Sequence, residues 1–202
     1  MTQPPVSVIV TGPPASGKTT VRSAIRTIFA DHFPNYSEWG VDDILRQMHL
    51  SGELNGVAEV DEDGALLLTP GSNAVSIALD RLLKRRVKSL HPALIEVPID
   101  DHWFSSFLSS GLAGRSMVIH LRAPLAVRVA RNSNRTRERI STEGMLAMPA
   151  EFSPNVAQRM ASQVQCLLVL DATAPEQSIQ KVGSHCAATY LSSYYNWSEK
   201  SS

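Results

Sequence analysis

Gly12-Pro13-Pro14-Ala15-Ser16-Gly17-Lys18-Thr19 fits the pattern G-x-x-x-x-G-K-[ST]. Each residue type there has a task at a phosphate. Gly12 and Gly17 permit backbone angles that turn amides toward phosphate oxygens, with Pro13, Pro14, Ala15 and Ser16 forming the loop between them. Lys18 is placed to reach the β- and γ-phosphates, and the Thr19 hydroxyl to ligate Mg²⁺, with Thr20 a second hydroxyl in the same turn. A glycine-rich turn with a surface lysine is the bland alternative. The apolar run ending at Val10 and the amphipathic run starting at Lys18 argue against it, because a strand-to-helix junction adds a helix N-terminus to the loop. The expected ligand is a nucleoside triphosphate, ATP, with Mg²⁺.

Two carboxylates fall where such a ligand would meet them. Asp42, in Trp39-Gly40-Val41-Asp42-Asp43-Ile44-Leu45-Arg46, follows the second apolar run. In an open α/β sheet the carboxyl ends of strands face the ligand crevice, so Asp42 is a candidate general base for an attacking hydroxyl. Its bland reading is a helix cap; Asp43 is read as a cap or a solvated first-turn acid. Arg46, one helical turn on, is a candidate for holding an anionic substrate or the transferred phosphoryl group. Glu96 interrupts the apolar run Ala93-Leu94-Ile95-Glu96-Val97, and a buried acid there needs a partner: hydrated Mg²⁺, or a buried arginine. Asp100 and Trp103 are candidate acceptor contacts at the crevice edge, with capping and core packing as their respective alternatives.

Arg128, Arg131 and Arg135 recur at i, i+3, i+7 on one helical face, followed by Arg137 and Arg139. Beside a phosphate loop they are candidates for neutralising charge in a transition state; elsewhere the same run would be a solvated face.

Positioning these groups requires alternating strands and helices. Strands are expected at Val6–Val10, Tyr36–Val41, Ala93–Val97, Met117–Leu121 and Cys166–Leu170, three of them almost wholly apolar, as in a parallel sheet covered on both faces. Helical stripes run through Val21, Ile25, Ile28 and Phe29; through Val75, Ala78, Leu79, Leu82 and Leu83; and through Ile179, Val182, Cys186 and Tyr190. Residues 51–72 and 135–154 fit neither period, and the second is expected to be a lid. Residues 1–191 are expected to form one domain, with a fraying polar tail over 192–202.

The 202 residues carry 19 basic and 19 acidic side chains, so no strong positive field favours nucleic acid as a partner. Cys166 and Cys186 lack metal-ligand spacing and are expected to be reduced, buried thiols. No signal peptide and no ~20-residue apolar span is visible, so a cytoplasmic location off the membrane is expected.

These residues resemble the nucleoside monophosphate kinase-like class of P-loop kinases. Gly-Pro-Pro-Ala-Ser-Gly-Lys-Thr looks like the loop of adenylate and cytidylate kinases and of gluconate kinase. Gly-Val-Asp-Asp-Ile-Leu-Arg is similar to chloramphenicol phosphotransferase and to the kinase domain of polynucleotide kinase, which implies Asp42 acting as base on a neutral hydroxyl. Arg131 and Arg135 match the R-x-x-x-R at the start of that class's lid, which implies Arg131 against the adenine and Arg135 on the phosphates. The resemblance implies a three-layer α/β fold with a five-stranded parallel sheet of order 2-3-1-4-5. It further implies γ-phosphoryl transfer from ATP to a hydroxyl of a small-molecule or nucleoside-like acceptor, with a nucleoside monophosphate kinase or a DNA/RNA hydroxyl kinase as alternatives, and a nucleotide-dependent regulator ranked last.

Overall fold

The computed structural model describes residues 6–200 other than 61, 63–65, 70 and 135–141, with backbone alone at 142–144 and 193–200. Along the chain come β1 (Ser7–Thr11), α1 (Lys18–His32), β2 (Ser37–Gly40), α2 (Val41–Leu50), β3 (Ala58–Val60), β4 (Leu66–Leu68), α3 (Ala74–Lys88) and β5 (Ala93–Val97). Then follow α4 (Asp101–Ser109), a short 3-10 turn, β6 (Ser116–Arg122), α5 (Leu125–Ser133), α6 (Thr142–Ala147), α7 (Pro154–Gln163), β7 (Cys166–Asp171) and α8 (Glu176–Lys200).

Five strands form one sheet in the order β2-β5-β1-β6-β7, every neighbouring pair parallel. Numbered among themselves, this is the expected 2-3-1-4-5. Every residue of β1 and β5 is buried, which is why those runs are so apolar. Alternate side chains serve opposite layers. Val8, Val10, Leu94, Ile119 and Leu121 pack with Val21, Ile25 and Phe29 of α1 and with Ile179 and Ala187 of α8. Ile9, Ile95, Val97 and Val118 pack with α2, α3, α4 and α7. Each buried aliphatic or aromatic side chain of these layers contributes about 1.5–3 kcal/mol. The result is helix on sheet on helix, with the carboxyl ends of β2, β5 and β1 side by side.

Residues 51–72 contain the antiparallel hairpin β3–β4, whose strands are three residues each. The described part of the expected lid contains α6 and leads into α7. The helix α8 continues to Lys200, through the residues read as a polar tail, with no proline to stop it. Cys166 and Cys186 are free but half-buried, and burial raises the Cys166 pKa, with the neighbouring Cys186 adding to it. Arg86 turns inward from the last turn of α3, fully buried, and donates from Nε to Ser7 Oγ at 2.7 Å. It thereby fixes the start of β1. Among the described residues, no helix is long and apolar enough to cross a membrane.

Candidate active site

The loop after β1 closes tightly on itself. A Cβ at Gly12 would lie 2.7 Å from the Leu121 carbonyl oxygen and 2.7 Å from Ser16 Oγ, so the backbone passes there only as glycine. Gly17, the residue before α1, has φ 97°, the left-handed region glycine tolerates. Ala15 also sits at positive φ, 59°, a strain of order 1–3 kcal/mol that the surrounding loop must hold. Lys18 donates from Nζ to the Pro13 carbonyl at 3.0 Å, which folds its stem over the loop. Ser16 Oγ is buried with no hydrogen-bond partner among the described residues.

Thr19 and Glu96 meet at the start of α1. The Thr19 hydroxyl donates to Glu96 Oε1 at 3.1 Å. Glu96 is only 8% exposed, and burial raises its pKa; Lys18 and Arg22 pull it back, and the charge of Asp42 pushes it up again. A hydroxyl and a buried carboxylate, both oxygen donors, fit a hard divalent ion such as Mg²⁺. No group of three or more His, Cys, Asp or Glu among the described residues could hold a metal alone, so an ion here would need phosphate oxygens as well. A half-buried arginine also stands beside Glu96: Arg22 Nε lies 3.4 Å from its Oε2. Arg22 went unread in the sequence, although it stands at i+4 from Lys18 and hence on the same face of α1.

Asp42 is exposed in the first turn of α2, which begins at Val41. The capping role belongs to Asp43, whose carboxylate accepts from the Gly40 amide at 2.9 Å. Arg46 is exposed on α2, one turn beyond Asp42.

The other two acceptor candidates are placed differently from expectation. Trp103 is 1% exposed and donates from Nε1 to the Leu79 carbonyl, stacked on Phe107 in the core. It is not a wall of the crevice; Trp103, Phe104, Phe107 and Leu108 are the buried stripe of α4. Asp100 caps α4, accepting from the Trp103 amide at 2.7 Å. Its neighbour Asp101 accepts from the Ser153 amide and so ties the start of α7 to α4.

Of the arginines, Arg131 meets the loop. It donates to the Ser16 carbonyl at 3.0 Å and to the Ala172 carbonyl at 2.7 Å. A cleft of about 320 Å³ opens between Ala15, Ser16, Arg131, Asn134 and Glu176. Arg128 is buried instead, reaching the Met145 carbonyl of α6. Arg135 lies outside the described residues. A further cluster was not anticipated: His120 of β6 contacts Glu151 at 3.1 Å, Arg122 contacts the same carboxylate, and Phe152 packs on His120. Only the histidine inside an apolar strand could have signalled it.

No family model and no curated protein sequence matches this chain. Solved structures do. A gluconokinase from Sinorhizobium meliloti is 16% identical, with TM-score 0.56 and coverage of 98% of this chain and 99% of that one. A sugar kinase from Janibacter is 17% identical, with TM-score 0.52 and coverage of 94% and 95%. Shikimate kinase from Acinetobacter baumannii, solved with shikimate, is 12% identical, with TM-score 0.54 and 94% of both chains covered. At these identities the likeness is one of fold, over the full length: this chain has the α/β fold of the P-loop kinases.

Proposed function

We propose that this protein is an ATP- and Mg²⁺-dependent phosphotransferase that moves the γ-phosphoryl group to a hydroxyl of a small-molecule or nucleoside-like acceptor. The observation that carries the reading is the meeting of Lys18, Thr19 and Glu96 at the glycine loop, with Asp42 close enough to raise the Glu96 pKa. The fold likeness to a gluconokinase and to shikimate kinase supports a small hydroxylated acceptor.

In this reading the loop amides and Lys18 bind the phosphates, Lys18 exchanging the Pro13 carbonyl for phosphate oxygen. Thr19 and Glu96 would hold Mg²⁺, which would supply positive charge to the phosphates when bound. The base of ATP rests in the cleft beside Arg131 and Asn134. Asp42 accepts the proton of the acceptor hydroxyl as its oxygen bonds to the γ-phosphorus. The bond from that phosphorus to the bridging oxygen breaks, and ADP leaves. Arg46, one turn along α2, orients the acceptor. Asp100 remains a capping group in this scheme.

The test is ATP consumption with Mg²⁺ against sugars, nucleosides, hydroxylated antibiotics, nucleoside monophosphates and short DNA oligomers. Turnover with a neutral hydroxyl compound is expected; turnover with monophosphates alone would overturn the hydroxyl acceptor. With the acceptor in hand, Asp42→Asn is expected to keep nucleotide binding and lower turnover ~10²–10⁴-fold, the usual size of general-base effects. Full activity in that variant would remove Asp42 from the chemistry.

A further inference from the structure

We propose that Arg22 is the positioning residue of this site: it holds Glu96 in the orientation a divalent ion needs, and it sets the first turn of α2, with Asp42, against the glycine loop. The inference rests on the roles given above to Glu96 and Asp42.

The side chain of Arg22 is 14% exposed, so its charge has to be met inside the protein. Three elements meet it. Glu38 Oε1 of β2 lies 3.2 Å from Nε, Glu96 Oε2 of β5 lies 3.4 Å from the same nitrogen, and Asp43 Oδ2 of α2 lies 3.9 Å from Nη1. Glu96 is thereby approached at both oxygens from one helix: Oε1 accepts a hydrogen bond from Thr19, and Oε2 lies within ion-pair reach of Arg22 Nε, which makes no hydrogen bond among the described residues. A buried carboxylate held this way keeps one rotamer and presents a fixed edge. Asp43 carries the same grip to α2, because its carboxylate also caps Gly40.

Gly40 is the independent sign that the fork is built in. Its φ of −128° is ordinary extended backbone, so torsion does not call for glycine there. Space does: a Cβ at Gly40 would lie 2.8 Å from Arg22 Nη1 and 3.1 Å from Asp43 Oδ2. Gly40 is paired in register with Glu96, and the space its missing side chain leaves is taken by Arg22 Nη1 on the Asp43 side of the fork. Lysine cannot replace it, because one ammonium on a flexible stem does not serve separate partners at Nε and Nη1.

The experiment measures binding of a fluorescent ATP analogue with and without Mg²⁺, for wild type, Arg22→Lys, Gly40→Ala and Glu96→Gln. Without Mg²⁺, Arg22→Lys and Gly40→Ala are expected to bind like wild type, since the glycine loop and Lys18 are untouched. The tightening on adding Mg²⁺ is expected to fall about 10–100-fold in Arg22→Lys, the usual effect of removing a group that orients a metal ligand, and to fall in the same direction in Gly40→Ala. A merely structural arginine would lower the melting temperature and leave the Mg²⁺ response alone. Folded Arg22→Lys with the full response overturns the proposal. If that variant does not fold, Gly40→Ala decides, and a full response there overturns it. Glu96→Gln separates the two readings. If it keeps the Mg²⁺ response, the metal role of Glu96 fails and this inference fails with it. If it loses the response while the other two variants keep it, only the role of Arg22 fails.

Discussion

A methyl group at Gly12 would press on the backbone oxygen of Leu121 as well as on Ser16 Oγ, and only the latter can turn away. The loop and the end of β6 would have to part. Gly12→Ala is therefore expected to destabilise the protein by about 1–3 kcal/mol, as overpacking does, and to weaken nucleotide binding as the loop opens. Chemical denaturation and nucleotide titration read the two effects separately, and an unchanged midpoint would mean the loop has slack at that contact. A second residue-scale contrast concerns the adjacent acids of α2. Asp43 accepts from the Gly40 amide, whereas Asp42 is exposed. Asp43→Ala is expected to lower stability by about 1 kcal/mol, the usual net value of one hydrogen bond, with Asp42→Asn close to neutral. Denaturation midpoints of the two variants in the reverse order would exchange their roles.

Among the elements, the stretch between α6 and α7 is the one fixed by chemistry rather than by a long apolar stripe. Glu151 reaches His120 and Arg122 on β6, Phe152 packs on Phe104 and His120, and the Ser153 amide donates to Asp101 of α4. His120 is 4% exposed, and burial lowers its pKa below the ordinary 6.5, with Glu151 opposing and Arg122 reinforcing the shift. The unfolded chain binds a proton at this histidine below about pH 6.5, while the folded chain resists it. This group's contribution is therefore whole above that pH and is lost as the pH falls through its lowered native value. Denaturation midpoints taken from pH 7.5 down to 5 are expected to fall in wild type and to fall less in His120→Phe. Equal slopes would place the acid sensitivity elsewhere. This stretch also marks where sequence reading stops. Its anchors are pairs separated by about 30 to 50 positions, and no periodicity signals such contacts. The three-residue strands of the β3–β4 hairpin are likewise too short for alternation to register, and four glycines around them read as loop. By contrast, Ala93–Val97 and the start of α1 at Lys18 were legible to the residue, because a doubly covered strand is apolar throughout and the loop motif ends where its helix begins. For Trp103 the sequence left crevice wall and core packing both open, and the structure has the second, because Trp103, Phe104 and Phe107 recur at a period that points inward.

At the scale of the whole molecule, the sheet order brings β1, β5 and β2 together at their carboxyl ends, and the glycine loop is shared among parts distant in the chain. Arg131 joins three of them: the end of α5, the Ser16 carbonyl of the loop, and the Ala172 carbonyl after β7. The two carbonyls it serves come from opposite ends of the sequence, so this brace forms only once the sheet is assembled. A nucleotide bound to the folded chain and not to the unfolded one adds about 2.7 kcal/mol at one hundred times its dissociation constant. For a domain of this size that corresponds to a rise of roughly 5–10 °C in melting temperature. Arg131→Ala removes a charged donor from both carbonyls and one wall of the cleft beside the loop. It is expected to be less stable by about 1.5–3 kcal/mol, the value of a hydrogen bond to a charged group, hence to melt at a lower temperature, and to gain less from ATP with Mg²⁺ at the same concentration. The two effects have different causes, since the first reflects the brace and the second the cleft. A variant that melts lower yet gains the full rise would leave Arg131 a brace alone, with the base of the nucleotide held by the loop and α8.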